Sequence, residues 1–235
     1  MKLLLLPLLL LSTSAFADLS ASVGASSKYI YRGSVENDSL ALQGEIEYST
    51  NGFFVGYWGS TLDYDPSNEN GNSGFEHDFY VGYTHEFSNN LSLTSQLMTY
   101  VYKHGGTIYS EDASRRTTGL EYSNILSIDN LSLSANVLLM DYFYGNAGDI
   151  YLNAEYSYPI SETLKASASV GSYIYRDKSD DLLETTESFT LNDVKLSLSK
   201  SVKAFTFSTE YLYGGKNRVG DKIDNNFIFS AKYTF

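Results

Sequence analysis

From Asn225 to Phe235 the residues alternate: Phe227, Phe229, Ala231, Tyr233 and Phe235 share one face, while Asn226, Ile228, Ser230, Lys232 and Thr234 share the other. A period of two marks a β-strand with one apolar side and one mostly polar side. The pattern stops on an aromatic with no polar tail, so the apolar side needs either a protein interior or lipid. A transmembrane β-barrel supplies the lipid. About 9 to 11 residues cross the hydrocarbon in a tilted strand, apolar outward and polar inward, with aromatics at both interfaces.

The amino end points the same way. Lys2, the apolar run Leu3 to Leu11 and the small-residue site Ala15-Phe16-Ala17 read as a secretory signal, with cleavage expected between Ala17 and Asp18. Residues 1–17 are therefore set apart, and 18–235 are expected to form a single domain. The apolar run is too short for a membrane-spanning helix, and no longer one follows, so a membrane fold must be a closed barrel, which satisfies its backbone internally. The chain has no cysteine, which excludes a disulfide-stapled exported domain. Its net charge of −12 argues against a nucleic-acid partner. The 21 Tyr and 13 Phe against one Trp favour strands and lipid-water boundaries.

About twelve strands can be read in order, an even number as bacterial single-chain barrels require. The first is expected over Leu19 to Tyr31, with Tyr29 and Tyr31 outward and Lys28 and Arg32 inward. Asn51-Gly52 is the strongest hairpin signal, because both residues accept the positive φ of a type I′ turn. In the strand that follows, Phe53, Val55 and Tyr57 compete with Phe54, Trp58 and Leu62 for the lipid face, and Trp58 stays unassigned. Connections near residues 50, 89, 128, 160 and 201 are short; those near 36, 69, 108, 182 and 219 are longer and polar, with 145–148 an exception. That alternation fits periplasmic turns and extracellular loops, with both termini periplasmic. The fold class expected is an all-β, transmembrane, antiparallel up-and-down barrel in the outer membrane of a Gram-negative bacterium.

Two resemblances sharpen this. The run ending Tyr233-Thr234-Phe235, with Phe227 and Phe229 before it, resembles the C-terminal strand recognised by outer-membrane barrel-assembly machinery. Tyr29-Ile30-Tyr31-Arg32-Gly33, Ala41-Leu42-Gln43-Gly44, Gly52 to Ser60 and Asp78 to Tyr83 resemble the TorF family of porins over the first third of the chain. That resemblance implies an outer-membrane barrel passing small solutes, and it brings no catalytic residue. Ala21-Ser22-Val23-Gly24 before Tyr29-Ile30-Tyr31-Arg32 recurs as Ala168-Ser169-Val170-Gly171 before Tyr173-Ile174-Tyr175-Arg176. The second spacing is three residues shorter, an odd difference that turns Tyr173 and Tyr175 inward unless a bulge intervenes.

No catalytic or metal motif is present. His77, His85 and His104 have neither helical pair spacing nor a cysteine partner, and no cofactor is expected. His77 and His85 fall on the outward phase, as girdle residues do. What remains is the lumen. The expected pore-lining set is Lys28, Arg32, Glu45, Glu47, Asp78, Tyr80, Glu86, Tyr100, Arg115, Glu121, Glu155, Lys165, Asp193, Lys195, Glu210 and Lys232, joined on the same phase by Glu76 and Asp149. Acids outnumber bases, and an uncompensated buried charge is costly, so a water-filled pore with mild cation preference is expected. The expected partners are outer-membrane lipid and lipopolysaccharide, the assembly machinery and small hydrophilic solutes. The alternatives are a non-conducting structural or adhesive barrel and an outer-membrane hydrolase.

Overall fold

A computed structural model describes residues 17–65, 71–102, 107–110, 113–178 and 183–235. In chain order the strands are β1 (Ala17–Ser26), β2 (Tyr29–Tyr31), β3 (Ser34–Asn37), β4 (Ala41–Thr50), β5 (Phe53–Leu62), β6 (Gly74–Ser88), β7 (Leu91–Tyr102), β8 (Thr107–Ser110) and β9 (Ala113–Arg116). They continue as β10 (Thr118–Ile128), β11 (Leu131–Leu138), β12 (Ile150–Ser161), β13 (Leu164–Ile174), β14 (Phe189–Val202), β15 (Phe205–Gly214) and β16 (Asn226–Thr234). Twelve of these close one antiparallel barrel, while β2–β3 and β8–β9 are separate hairpins. Closure joins β1 to β16, with Val23 opposite Tyr233 and Ser26 opposite Ser230. The Phe235 amide donates to Ala21 O at 3.0 Å. The barrel leaves no open sheet edge, which is what a strand protein needs in lipid.

One end carries only two-residue turns, at 51–52, 89–90, 129–130, 162–163 and 203–204. Asn51 (φ 50°) and Gly52 (φ 83°) take the expected left-handed pair. A side chain at Gly52 would meet Thr84 O at 2.6 Å. The opposite end carries 27–40, 63–73, 103–117, 139–149, 175–188 and 215–225. The connection expected to be short around 145–148 thus spans 139–149. It looks short in sequence because it folds on itself, with a Tyr142–Gly145 bridge.

Apolar side chains point away from the lumen. Phe227 and Phe229 are 61% and 60% exposed, and Leu19, Val23, Ile46, Val81, Leu152 and Leu196 share their surface. Aromatic pairs border this band: Phe53 with Tyr83, His85 with Phe87 and Phe205 with Tyr233 toward the short-turn end, Tyr211 with Phe227 toward the other. A wide apolar exterior with aromatic girdles is the surface of a barrel made for a bilayer.

One expectation about facing changes, and the facing left open at Trp58 is found. The first strand ends at Ser26, whose hydroxyl donates to Lys28 O at 2.6 Å. The chain then folds into the barrel as β2–β3, turning at Arg32 (φ 48°) and Gly33 (φ 83°). Tyr29 and Tyr31 therefore lie inside, not outside, and Lys28 stays near the rim in an ion pair with the exposed Asp38. Trp58, in turn, points inward with Phe54 and Leu62, and its ring meets Tyr29 edge-on at 5.3 Å. Glycines make room for that phase: a Cβ at Gly56 would lie 2.3 Å from the Tyr80 ring, and one at Gly82 2.3 Å from Phe54.

Candidate functional site

The interior has three levels, each built from the inward phase of the wall. In the short-turn half, Glu45 on β4, Glu155 on β12 and Glu210 on β15 share a cavity of about 490 Å³ with Lys165 on β13, Lys195 on β14 and Lys232 on β16. Serines take many of the other positions in its wall, paired across strands at Ser167–Ser197 (2.6 Å) and Ser208–Ser230 (2.5 Å). Tyr80 donates to Glu45 Oε1 at 2.9 Å. Three acids against three bases leave this chamber formally neutral, polar and hydrated in character, because small hydroxyl side chains leave the space open.

Above it lies a dense layer. Arg32, carried in by the β2–β3 hairpin, meets Glu121 on β10 with both guanidinium nitrogens, at 2.7 and 2.8 Å. Glu121 also accepts from Tyr100 at 2.8 Å, and Tyr100 hydrogen-bonds Tyr31 at 2.8 Å. The guanidinium lies between the rings of Tyr31 (4.7 Å) and Tyr151 (4.5 Å). From Tyr151 the contacts run on to Tyr173 (4.9 Å), to Tyr175 (4.9 Å, nearly parallel) and to the guanidinium of Arg218 (4.4 Å), which is paired with Asp149. Two arginines thus end a chain of three tyrosine rings, of which Tyr173 and Tyr175 are stacked, and a buried carboxylate neutralises each arginine. The layer ties the hairpin, the wall and the 215–225 loop together.

A bulge completes this level. Between Gly171 and Ser172 the β13–β14 register shifts, so Asn192 and Asp193 both turn inward. Tyr151 donates to Asp193 Oδ2 at 3.0 Å, and Asn192 holds the Arg32 carbonyl. Tyr173 and Tyr175 are inward, as the odd spacing of the repeat implies.

At the long-loop end the hairpin acid Glu36 is fully buried and accepts from Tyr64 (2.6 Å) and Tyr144 (2.8 Å). Burial pushes its carboxyl above the usual carboxylate range despite those two donors. The hydroxyls of Tyr64 and Tyr144 are in turn pushed up by burial and by the charge of Glu36. Beside this cluster a second cavity of about 540 Å³ opens among Tyr31, Tyr144, Tyr175, Asn217, Lys222 and Ile223.

The other sequence-selected residues fall as follows. Asp78 is buried in register with Trp58 and Tyr100. Glu76, two residues away on the same face, is buried as well. Glu47 is half-buried on the inward phase of β4, and Glu86 lies exposed beside the 89–90 turn. Arg115, expected on a wall strand, belongs to the β8–β9 hairpin and donates to Tyr142 O, Gly145 O and Asn146 Oδ1, pinning the 139–149 loop. Sequence reasoning missed Arg218, because a loop position has no period to betray its facing. His77 shares a hydrogen bond with the Tyr57 hydroxyl at 2.9 Å, and His85 packs on Phe87. His104, residues 1–16 of the expected signal, and the tip of the 63–73 loop lie outside the described residues. No group of three or more metal-ligating side chains occurs among the described residues.

Residues 12–235 match the model of a family described as bacterial protein of unknown function, Gcw_chp. The chain is a Gcw_chp protein. No curated protein matches it by sequence. Among solved structures the Gcw_chp barrel is similar to the KdgM porin, with a TM-score of 0.55, 10% identity, and coverage of 92% of this chain and 99% of that one. It is as similar to a membrane protein from work on in-meso crystallisation (TM-score 0.55, 12% identity, 92% and 83% covered). OprD from Pseudomonas aeruginosa follows at a TM-score of 0.46 and 14% identity, over 93% of this chain and 65% of that one. The match to the KdgM porin shows that this chain shares that protein's closed antiparallel barrel fold.

Proposed function

We propose that this Gcw_chp protein is an outer-membrane porin-like channel for passive diffusion of small hydrophilic solutes, as the resemblance to TorF porins also implies. The single observation that carries the reading is a polar, charged cavity inside a barrel whose outside is apolar. A protein with no solute to pass gains nothing from keeping six charged side chains around an open chamber. Of the sixteen sequence-selected positions, all but Arg115, which pins the 139–149 loop, are proposed to face the interior, with Glu86 at the inner rim and Lys28 at the outer. Residues 1–17 are proposed as the cleaved signal, and Phe227, Phe229, Tyr233 and Phe235 as the outward face offered to the assembly machinery, to lipid and to lipopolysaccharide.

Mild cation preference is proposed to arise above the chamber rather than in it. The chamber is formally neutral, whereas Glu36, Glu76, Asp78, Glu121, Asp149 and Asp193 outnumber Arg32, Arg115 and Arg218 in the upper interior. Rings of acid favour cations. Purified protein in planar bilayers is expected to give discrete conductance steps and a cation-selective reversal potential in a potassium chloride gradient. Anion selectivity, or bilayers that stay silent with folded protein even after the Arg32–Glu121 layer is released, overturn the reading.

Glu36 predicts a pH dependence. Its carboxyl is raised by burial, so docking of the hairpin is strongest below the ordinary carboxyl range of about 4.3 and weakens as pH rises through the raised value. The groups that face it are the hydroxyls of Tyr64 and Tyr144, with Glu76 and Asp63 farther off. Mean conductance is expected to rise with pH across that window, and Glu36→Gln to flatten the rise. A wild-type conductance that falls with increasing pH contradicts it.

One observation favours a second reading, a non-conducting barrel. The Arg32–Glu121 layer lies between the two cavities, which share no lining residue. The effect of releasing that layer separates a closed channel from a sealed barrel.

A further inference from the structure

The upper cavity has the size and wall of a small-molecule site: about 540 Å³, with aromatic and aliphatic side chains and a few placed polar groups. Its charges cancel. The bases in its wall are Arg32, Arg218 and Lys222, the acids Glu36, Glu184 and Asp224. Each base is already held, Arg32 by Glu121, Arg218 by Asp149, and Lys222 by the Gly214 carbonyl and the Tyr213 ring. An anion entering here finds no cation without a partner and meets three carboxyl groups, so the wall disfavours anions. A ligand without negative charge avoids that repulsion.

The rings narrow the class further. Tyr175 has Tyr173 stacked against it at 4.9 Å and Arg218 over it at 4.4 Å, so its faces are occupied, and Tyr173 also meets Tyr151 at a tilt. What such rings have left for a ligand is their edges and hydroxyls. Val35, Leu183, Val219 and Ile223 supply aliphatic wall. Glu36, fully buried in the same wall, keeps Oε1 without a hydrogen-bond partner among the described residues, an acceptor suited to a donating hydroxyl. A ligand rich in hydroxyls, with apolar C–H faces and no charge, matches all of these.

We infer that the long-loop end of the barrel holds a binding site for a neutral saccharide. The inference rests on the channel reading only in taking this end as the outer mouth, where a solute is first captured. Binding is measured by titration calorimetry on the full folded barrel in detergent, which requires no conduction, so failure to bind and failure to conduct are read separately. The probes are maltohexaose, cellohexaose and chitohexaose, with chondroitin hexasaccharide as the charged counterpart. At least one neutral hexasaccharide is expected to bind, and more tightly than the charged one. Tyr173→Phe/Tyr175→Phe keeps the stack but removes two hydroxyls and is expected to weaken binding about tenfold. Heat-modifiable gel mobility confirms that the variant is folded. No binding by any neutral probe, tighter binding of chondroitin, or unchanged affinity in the folded double variant overturns the inference.

Discussion

Glu121→Ala is expected to raise the open probability of the channel sharply, because it removes the carboxylate that holds Arg32 inside the barrel. Both guanidinium nitrogens bond that carboxylate, and Arg32 is the turn residue of the inward hairpin. Breaking a buried pair by deleting one partner costs about 3 to 5 kcal/mol, since the remaining charge is left in a poor environment. At 1.4 kcal/mol per decade, the ratio of docked to undocked hairpin falls by about a hundredfold or more. An undocked hairpin takes Tyr31 and Arg32 out of the middle layer and joins the two cavities. Single-channel recording reads the change directly. Arg32→Ala/Glu121→Ala is expected to dock better than Glu121→Ala alone, because no charge is stranded. A folded Glu121→Ala barrel that stays as silent as its parent supports the sealed-barrel reading and removes the hairpin as a gate.

Leu196→Arg is expected to destabilise the folded barrel in lipid vesicles by about 2 to 4 kcal/mol, the cost of arginine on the lipid face near the bilayer middle. Leu196 is midway along β14, exposed, and in register with Ala168 and with Tyr211 of the long-loop girdle, so the lower end of that range is expected. Ser199→Arg, three residues on and facing the chamber with Lys165 and Glu210, is expected to cost less than about 1 kcal/mol. Denaturant titration from vesicles gives both numbers. A water-soluble sheet protein predicts the reverse order, since an exposed arginine is harmless there and an interior one is not. Equal small effects at both sites would count against the membrane assignment.

Much of the wall can be read from residues alone, because each barrel strand repeats one rule every two positions. Val23, Ile46, Val81, Leu196 and Phe229 are apolar where lipid is expected, and Glu45, Lys165, Lys195 and Lys232 are polar where the chamber is. Asn51-Gly52 marks a turn because few residue pairs accept two positive φ values in succession. Where the phase was ambiguous, in β5, the deciding fact lay on other strands. Trp58 turns inward because Tyr80 fills the space over Gly56 and Phe54 the space over Gly82.

The contents of the upper barrel were beyond local reading. Tyr29 to Arg32 continue the alternation of β1, and only Arg32-Gly33, both at positive φ, hint that the chain turns back. Whether it turns over the rim or into the lumen depends on Glu121, 89 residues away, on the carbonyl grip of Asn192, and on the rings of Tyr151 and Tyr173. Arg218 finds Asp149 and Tyr175 in the same way. A closed barrel with an oily exterior and a charged interior is legible in the residues alone, because a strand sorts its side chains by a period that needs no knowledge of its neighbours. The tyrosine–arginine layer that divides this interior emerges in three dimensions. The partners of a buried charge are chosen by distance in space, and the sequence records distance only along the chain.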